Sequence, residues 1–113
     1  MSKSKMVLSG GNSMLVLKLL EEEEMYGYQI IEELERRSEN VFKLKAGTLY
    51  PILHGLEKKE LVTSYEKEAE NGKVRKYYTI TSEGKKILSQ QVEEWTDYMN
   101  AMEKVIGGAN YAV

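Results

Sequence analysis

The chain has 113 residues, 42% of them hydrophobic, no cysteine and a formal net charge of −2. That length fits one domain or one domain with an appendage, and its small core would gain from oligomerisation. Disulfides, thiolate metal sites and cysteine nucleophiles are excluded, and no run of about 18 apolar residues offers a membrane span.

The first residues, MSKSKMVLSGG, lack the apolar stretch of a signal peptide, so a cytoplasmic protein is expected. Charge is unevenly spread. Residues 1–20 carry +3, residues 21–40 carry −6, residues 41–60 carry +2 and residues 61–81 carry +1. Phosphate responds to the local field rather than the total, so a negative chain can still present a positive surface.

In chain order, Gly10-Gly11 is expected to close a flexible leader spanning residues 1–11. Asn12 or Ser13 can then cap a helix running to about Glu22, apolar almost all round and therefore heavily buried. The glutamate run Glu21–Glu24 reads as a solvated turn, because adjacent like charges repel. A second helix fits Gly27–Ser38, with Ile30, Ile31 and Leu34 facing inward and Asn40 able to end it.

A third helix is expected at roughly 46–59. Its apolar residues Leu49, Ile52, Leu53 and Leu56 follow i, i+3, i+4, i+7 spacing. The opposite face collects Gly47, Tyr50, Pro51, His54 and Lys58, with little bulk near the start. Such a face suits something polar and negative, and a DNA groove is the leading candidate. Pro51 is tolerable if helical geometry starts near Thr48, within the first four residues whose N–H groups lack partners. Lys45 and Thr48 sit at the helix start, where free N–H groups and the dipole favour phosphate. They read otherwise as a solvated lysine and a simple cap. Tyr50 reads as a phosphate contact or as a rim tyrosine of the core. His54, the sole histidine, reads as groove-facing or solvated, and no metal site or other cofactor is expected.

Leu61–Glu68 and Lys73–Ile80 read as two strands around Asn71-Gly72, a two-residue hairpin signal in which both residues tolerate positive φ. Lys73, Arg75 and Lys76 flank the tip and are candidate contacts to the DNA backbone. Of Tyr77 and Tyr78, one must point inward and one outward. Thr81 or Ser82 then caps a last helix at about 82–107, followed by a tail at 108–113. The predicted fold is mainly α with a small β-hairpin. It is a winged helix-turn-helix at 12–81, whose third helix would read a major groove, joined to a long C-terminal dimerisation helix.

That last helix carries Leu88, Val92, Trp95, Met99, Met102 and Ile106 at spacings of 4, 3, 4, 3 and 4, an a/d seam. About 25 helical residues span roughly 37 Å, too long to bury the stripe against so small a core. A second copy related by a two-fold axis is the expected partner. Two wings related by that axis would meet successive major grooves about 34 Å apart. Trp95 and Met99 could also frame a pocket for a planar hydrophobic effector.

The segments YGYQIIEEL (26–34), LKAGTLYPILHGLEKKELV (44–62) and RKYYTITSEGKK (75–86) together resemble the PadR-like transcriptional regulators. The resemblance covers most of residues 12–106, in the short form with one C-terminal helix. It implies a homodimeric repressor on an inverted-repeat operator. Lys45, Thr48, Tyr50 and His54 would lie on or beside the DNA-facing side of the third helix. The wing, Lys67 to Lys76, would reach the minor groove or backbone. Short members of the family include sensors of flat compounds at the dimer interface. Glu60 departs from the pattern, since a glycine usually ends the third helix there.

An enzyme is disfavoured, because no nucleophile–base pair, phosphate loop or dinucleotide fingerprint is present. The rival reading is a winged-helix adaptor that dimerises through its last helix without reading DNA sequence. Salt dependence of DNA binding separates the two.

Overall fold

The computed structural model describes residues 3–107, with side chains from Gly11 onward. Helix α1 (Lys3–Glu22) is followed by a short strand β1 (Met25–Tyr26), helix α2 (Gly27–Arg37) and helix α3 (Ala46–Lys58). Strands β2 (Val62–Glu68) and β3 (Val74–Ile80) form the hairpin, and α4 (Ser82–Val105) ends the described chain. The three strands make one antiparallel sheet in the order β1-β3-β2. The tail at 108–113 lies outside the described residues.

Helix α1 begins well before the expected cap. Its backbone runs from Lys3 through Gly10-Gly11, and Asn12 and Ser13 are interior. A glycine within a helix costs about 1 kcal/mol but does not stop it. The glutamate run is likewise only partly a turn, since Glu21 and Glu22 complete α1. Cations relieve their repulsion: Lys18 reaches Glu21 at 3.0 Å and Arg37 reaches Glu22 at 2.8 Å. Within α2, hydrogen bonds from Arg36 and Arg37 hold the Glu33 carboxyl down at about 2.

Helices α2 and α3 end in the same way. The Asn40 N–H returns to the Glu35 carbonyl at 2.8 Å, and the Leu61 N–H returns to the Leu56 carbonyl at 2.9 Å. These six-to-one bonds are Schellman closures, which need a left-handed residue after the cap. Glu39 (φ 52°) and Glu60 (φ 62°) supply it. Glu60 thus adopts the geometry a glycine would favour, at the position where the family pattern has one. Glu60→Gly is expected to raise stability by about 0.5–1 kcal/mol. The gain would be read as a higher urea midpoint at unchanged slope.

Pro51 is the sixth residue of α3, since the helix starts at Ala46 and not near Thr48. The missing donor leaves the Gly47 carbonyl without its helical partner. Gly47 is exposed, with open space around it, so water can serve that carbonyl.

The hairpin turn is longer than two residues. Ala69 and Lys73 pair through the Ala69 N–H at 2.7 Å, and the Ala69 carbonyl accepts from Gly72 at 2.9 Å. Gly72 (φ 83°) takes the left-handed position there, and Asn71 does not. This is a three-residue turn closed by a glycine bulge. The Asn71 side chain serves it by accepting the Lys73 N–H at 3.1 Å.

Val16 and Leu17 of α1, Ile30 of α2, Leu49 and Leu53 of α3 and Tyr78 of β3 are fully buried together. Tyr78 is therefore the inward tyrosine of the pair, and Tyr77 faces the other side of the sheet. Helix α4 packs along α1, with Leu88 inside the same core. Its start is pinned to the end of α3: the Thr81 hydroxyl accepts the Gly84 N–H at 2.9 Å and donates toward the Glu60 and Leu61 carbonyls. The molecule extends 60 Å along its longest axis, against 28 and 23 Å across.

Candidate nucleic-acid interface

Helix α3 buries Leu49, Leu53 and Leu56 and leaves Ile52 half-buried, as its apolar spacing requires. Every residue assigned to its outer face is exposed: Gly47, Tyr50, Pro51, His54 and Lys58, with Lys45 and Thr48 at the start. Lys45 is the N-cap, but its side chain makes no capping bond. Its carbonyl accepts the N–H groups of Thr48 and Leu49, each at 2.9 Å. The Ala46 and Gly47 N–H groups take no part in these two bonds, and Lys45, Ala46 and Gly47 are all exposed. Along this outer face the bare Gly47 and the polar side chains of Tyr50 and His54 are exposed, with Thr48 exposed on its other flank and Lys45 at the helix start. Tyr50 differs from the others in having one side of its ring against Gly27, at the start of α2.

The wing is divided by strand parity. Tyr78 faces the helices, so Lys76 and Val74 share that side, and Ser64 on β2 ties it to α3 through Glu57 at 2.6 Å. Lys76 is exposed at this face, opposite Glu66, with its ammonium 5.8 Å from the Tyr78 ring centre. Lys73 is exposed beside the turn.

Arg75 points to the other face of the sheet. Its guanidinium lies 4.4 Å from the Tyr26 ring centre and donates to the Tyr26 hydroxyl at 2.5 Å. Tyr26, Tyr77 and Tyr65 form a row across that face, with ring centres 5.3 and 5.9 Å apart. Lys67 lies over Tyr77, and the Tyr65 hydroxyl donates to Glu24. That bond, above all, pushes the exposed Tyr65 phenol up to about 12. Arg75 is thus committed to holding β1 and the wing together. Of the three wing cations singled out in the sequence, Lys76 is exposed on the α3 side and Lys73 is exposed at the turn.

Two features of this region were missed in the sequence: strand β1, which anchors the sheet's other edge, and the contact between Gly27 and Tyr50. A two-residue strand has no period to detect. Arg75, by contrast, could have been assigned from its parity with Tyr77 once Tyr78 was known to be the inward residue.

The C-terminal stripe divides as well. Leu88 is 2% exposed within its own protomer's core. Val92, Trp95, Met99 and Met102 on α4 and Ile106 at its C-cap all remain exposed, with Trp95 at 42%. A large apolar residue exposed in a line of others is a candidate contact surface. Among the described residues no helix is long and apolar enough to cross a membrane.

Three helices, a hairpin wing and an exposed polar edge on the third helix define a winged-helix DNA-binding regulator of transcription. Residues 16–90 match the transcriptional regulator PadR-like family, and the chain belongs to that family. A transcriptional regulator from Clostridium thermocellum superposes with a TM-score of 0.80 at 33% identity, over 88% of this chain and 97% of that one. A PadR family transcription regulator from Clostridium difficile gives 0.71 at 34% identity, over 83% and 96%. An uncharacterised protein of Lysinibacillus sphaericus is 37% identical over 102 residues, which are 90% of this chain and 94% of its own.

Proposed function

We propose that the protein is a homodimeric repressor of an inverted-repeat operator, with the unit up to Thr81 binding DNA and α4 joining two copies. The observation that carries this reading is the outer edge of α3. Lys45, Gly47, Thr48, Tyr50, Pro51 and His54 are all exposed on α3 or at its start, with Lys76 exposed on the α3-facing side of the wing and Lys73 exposed at its turn. Lys45 and the Ala46 and Gly47 N–H groups would take phosphate, the bare Gly47 would allow close approach, and Thr48, Tyr50 and His54 would reach bases or backbone. The acidic block at 21–40 turns DNA away from the α2 side.

The apolar stripe from Val92 to Ile106 supports the dimer. Trp95 and Met99 near its centre support a planar hydrophobic or phenolic effector held between the two copies, whose entry would alter their mutual geometry.

Selection of bound fragments from a random duplex pool, followed by salt titration on the selected site, tests the reading. The expected result is a palindromic site with half-sites about 34 Å apart. Its log–log salt slope should approach −0.9 per phosphate neutralised, by the order-of-magnitude rule for duplex DNA. Tyr50→Ala should weaken binding to it by about tenfold with the dimer intact. No enriched site and a flat salt response would favour the adaptor instead.

A further inference from the structure

Gly27 is buried at the first position of α2, and its place is fixed from both sides. Before it, β1 is held to β3 with Tyr26 opposite Tyr77. After it, the Gln29 side-chain oxygen accepts the Tyr26 N–H at 3.1 Å and closes the first turn. A methyl group built on Gly27 would run into the Tyr50 hydroxyl and stand 2.8 Å from Cζ and 3.2 Å from Cε1. All three nearest atoms belong to that one ring, so the missing side chain serves Tyr50 in particular. Tyr50 is nevertheless 40% exposed. One edge of its ring is seated and the other is open.

We propose that Gly27 is a positioning residue for DNA recognition: its bare backbone is the seat on which the Tyr50 phenol rests. The seat fixes where the ring and its hydroxyl stand on the outer edge of α3. An unsupported tyrosine at a surface loses rotamer freedom when it binds, whereas a seated one has lost that freedom on folding. Gly27 also joins β1 to α2, so the seat ties the reading helix to the sheet that carries the wing. The proposal rests on the reading of α3 as a DNA-contacting helix.

Gly27→Ala, Tyr50→Ala and the double variant test it, in the full chain and on the operator selected above. Gly27→Ala is expected to weaken operator binding by about tenfold and to lower the urea midpoint. In the Tyr50→Ala background the same change should cost neither affinity nor midpoint, because the ring it would strike is gone. Equal losses in both backgrounds, or unchanged affinity for Gly27→Ala alone, would overturn the positioning role. Should Gly27→Ala fail to fold, a folded double variant supports the contact and an unfolded one overturns it. If Tyr50→Ala binds DNA as tightly as the parent, the reading of α3 itself fails. A Tyr50→Ala that binds weakly, with an additive loss from Gly27→Ala, refutes the seat alone.

Discussion

Trp95→Asp is expected to convert the proposed dimer to a monomer at micromolar concentration. In the proposed two-fold assembly the substitution sets two carboxylates in a seam that otherwise offers Val92, Met99 and Met102. Each would lose its water on burial there, and burying an unpaired charge costs several kcal/mol. Removing the indole forfeits a further share of the apolar burial, about 25 cal/mol per Å². The protomer should still fold, because Trp95 lies outside the buried cluster and Leu88 holds α4 to α1. Sedimentation or light scattering reads the mass, and circular dichroism reads the retained helix. A monomer would also lose affinity for a palindrome, since its two half-sites would no longer be bound as one unit. A variant that stays dimeric with normal operator binding would move the interface away from the stripe.

Leu53→Ala should have the largest effect on stability, about 2–5 kcal/mol. Leu53 is fully buried at the centre of α3, within the cluster that includes Ile30, Leu49 and Tyr78. A cavity there removes packing from three elements at once. Against a typical total of about 5–15 kcal/mol, the loss should lower the urea midpoint sharply, and monitoring by circular dichroism measures it. His54→Ala on the exposed side of the same helix should leave the midpoint almost unchanged, which separates the two faces of α3.

Much of this architecture was legible because its elements are long and periodic. The apolar positions of α3, the alternation that sends Tyr77 and Tyr78 to opposite faces and the 4-3-4-3-4 stripe of α4 each repeat often enough to exceed noise. Periodicity gives a face, however, and not its partner. Leu88 and Val92 belong to one stripe, yet Leu88 packs into the core of its own chain while Val92 stays open. Length decided other cases. Met25-Tyr26 is too short to show alternation, so β1 became visible only through its pairing with β3. Glycine misled at Gly10-Gly11, where a conformational cost was read as a stop. At the candidate site the exposed edge of α3 followed from spacing. The Tyr50 seat did not, because it depends on how two helices approach, and the commitment of Arg75 depended on a neighbour 49 residues away in sequence.

The junction between α3, β2 and α4 has a mechanical consequence. Thr81 and Gly84 fasten the first turn of α4 to Glu60 and Leu61, the residues that close α3, and a methyl on Gly84 would strike the Leu61 carbonyl. Helices α4 and α3 therefore meet at a stiff elbow with no compliant spacer. In a two-fold assembly joined along the rods, a pivot at the seam would reach each α3 almost undamped, as a handle moves the blade of a pair of shears. A tilt of a few degrees over a lever of roughly 20–30 Å shifts the tip by an ångström or two, by the axial rise of the helix. Displacements of that size can spoil base contacts, so crowding the rods at Trp95 would be felt at the operator.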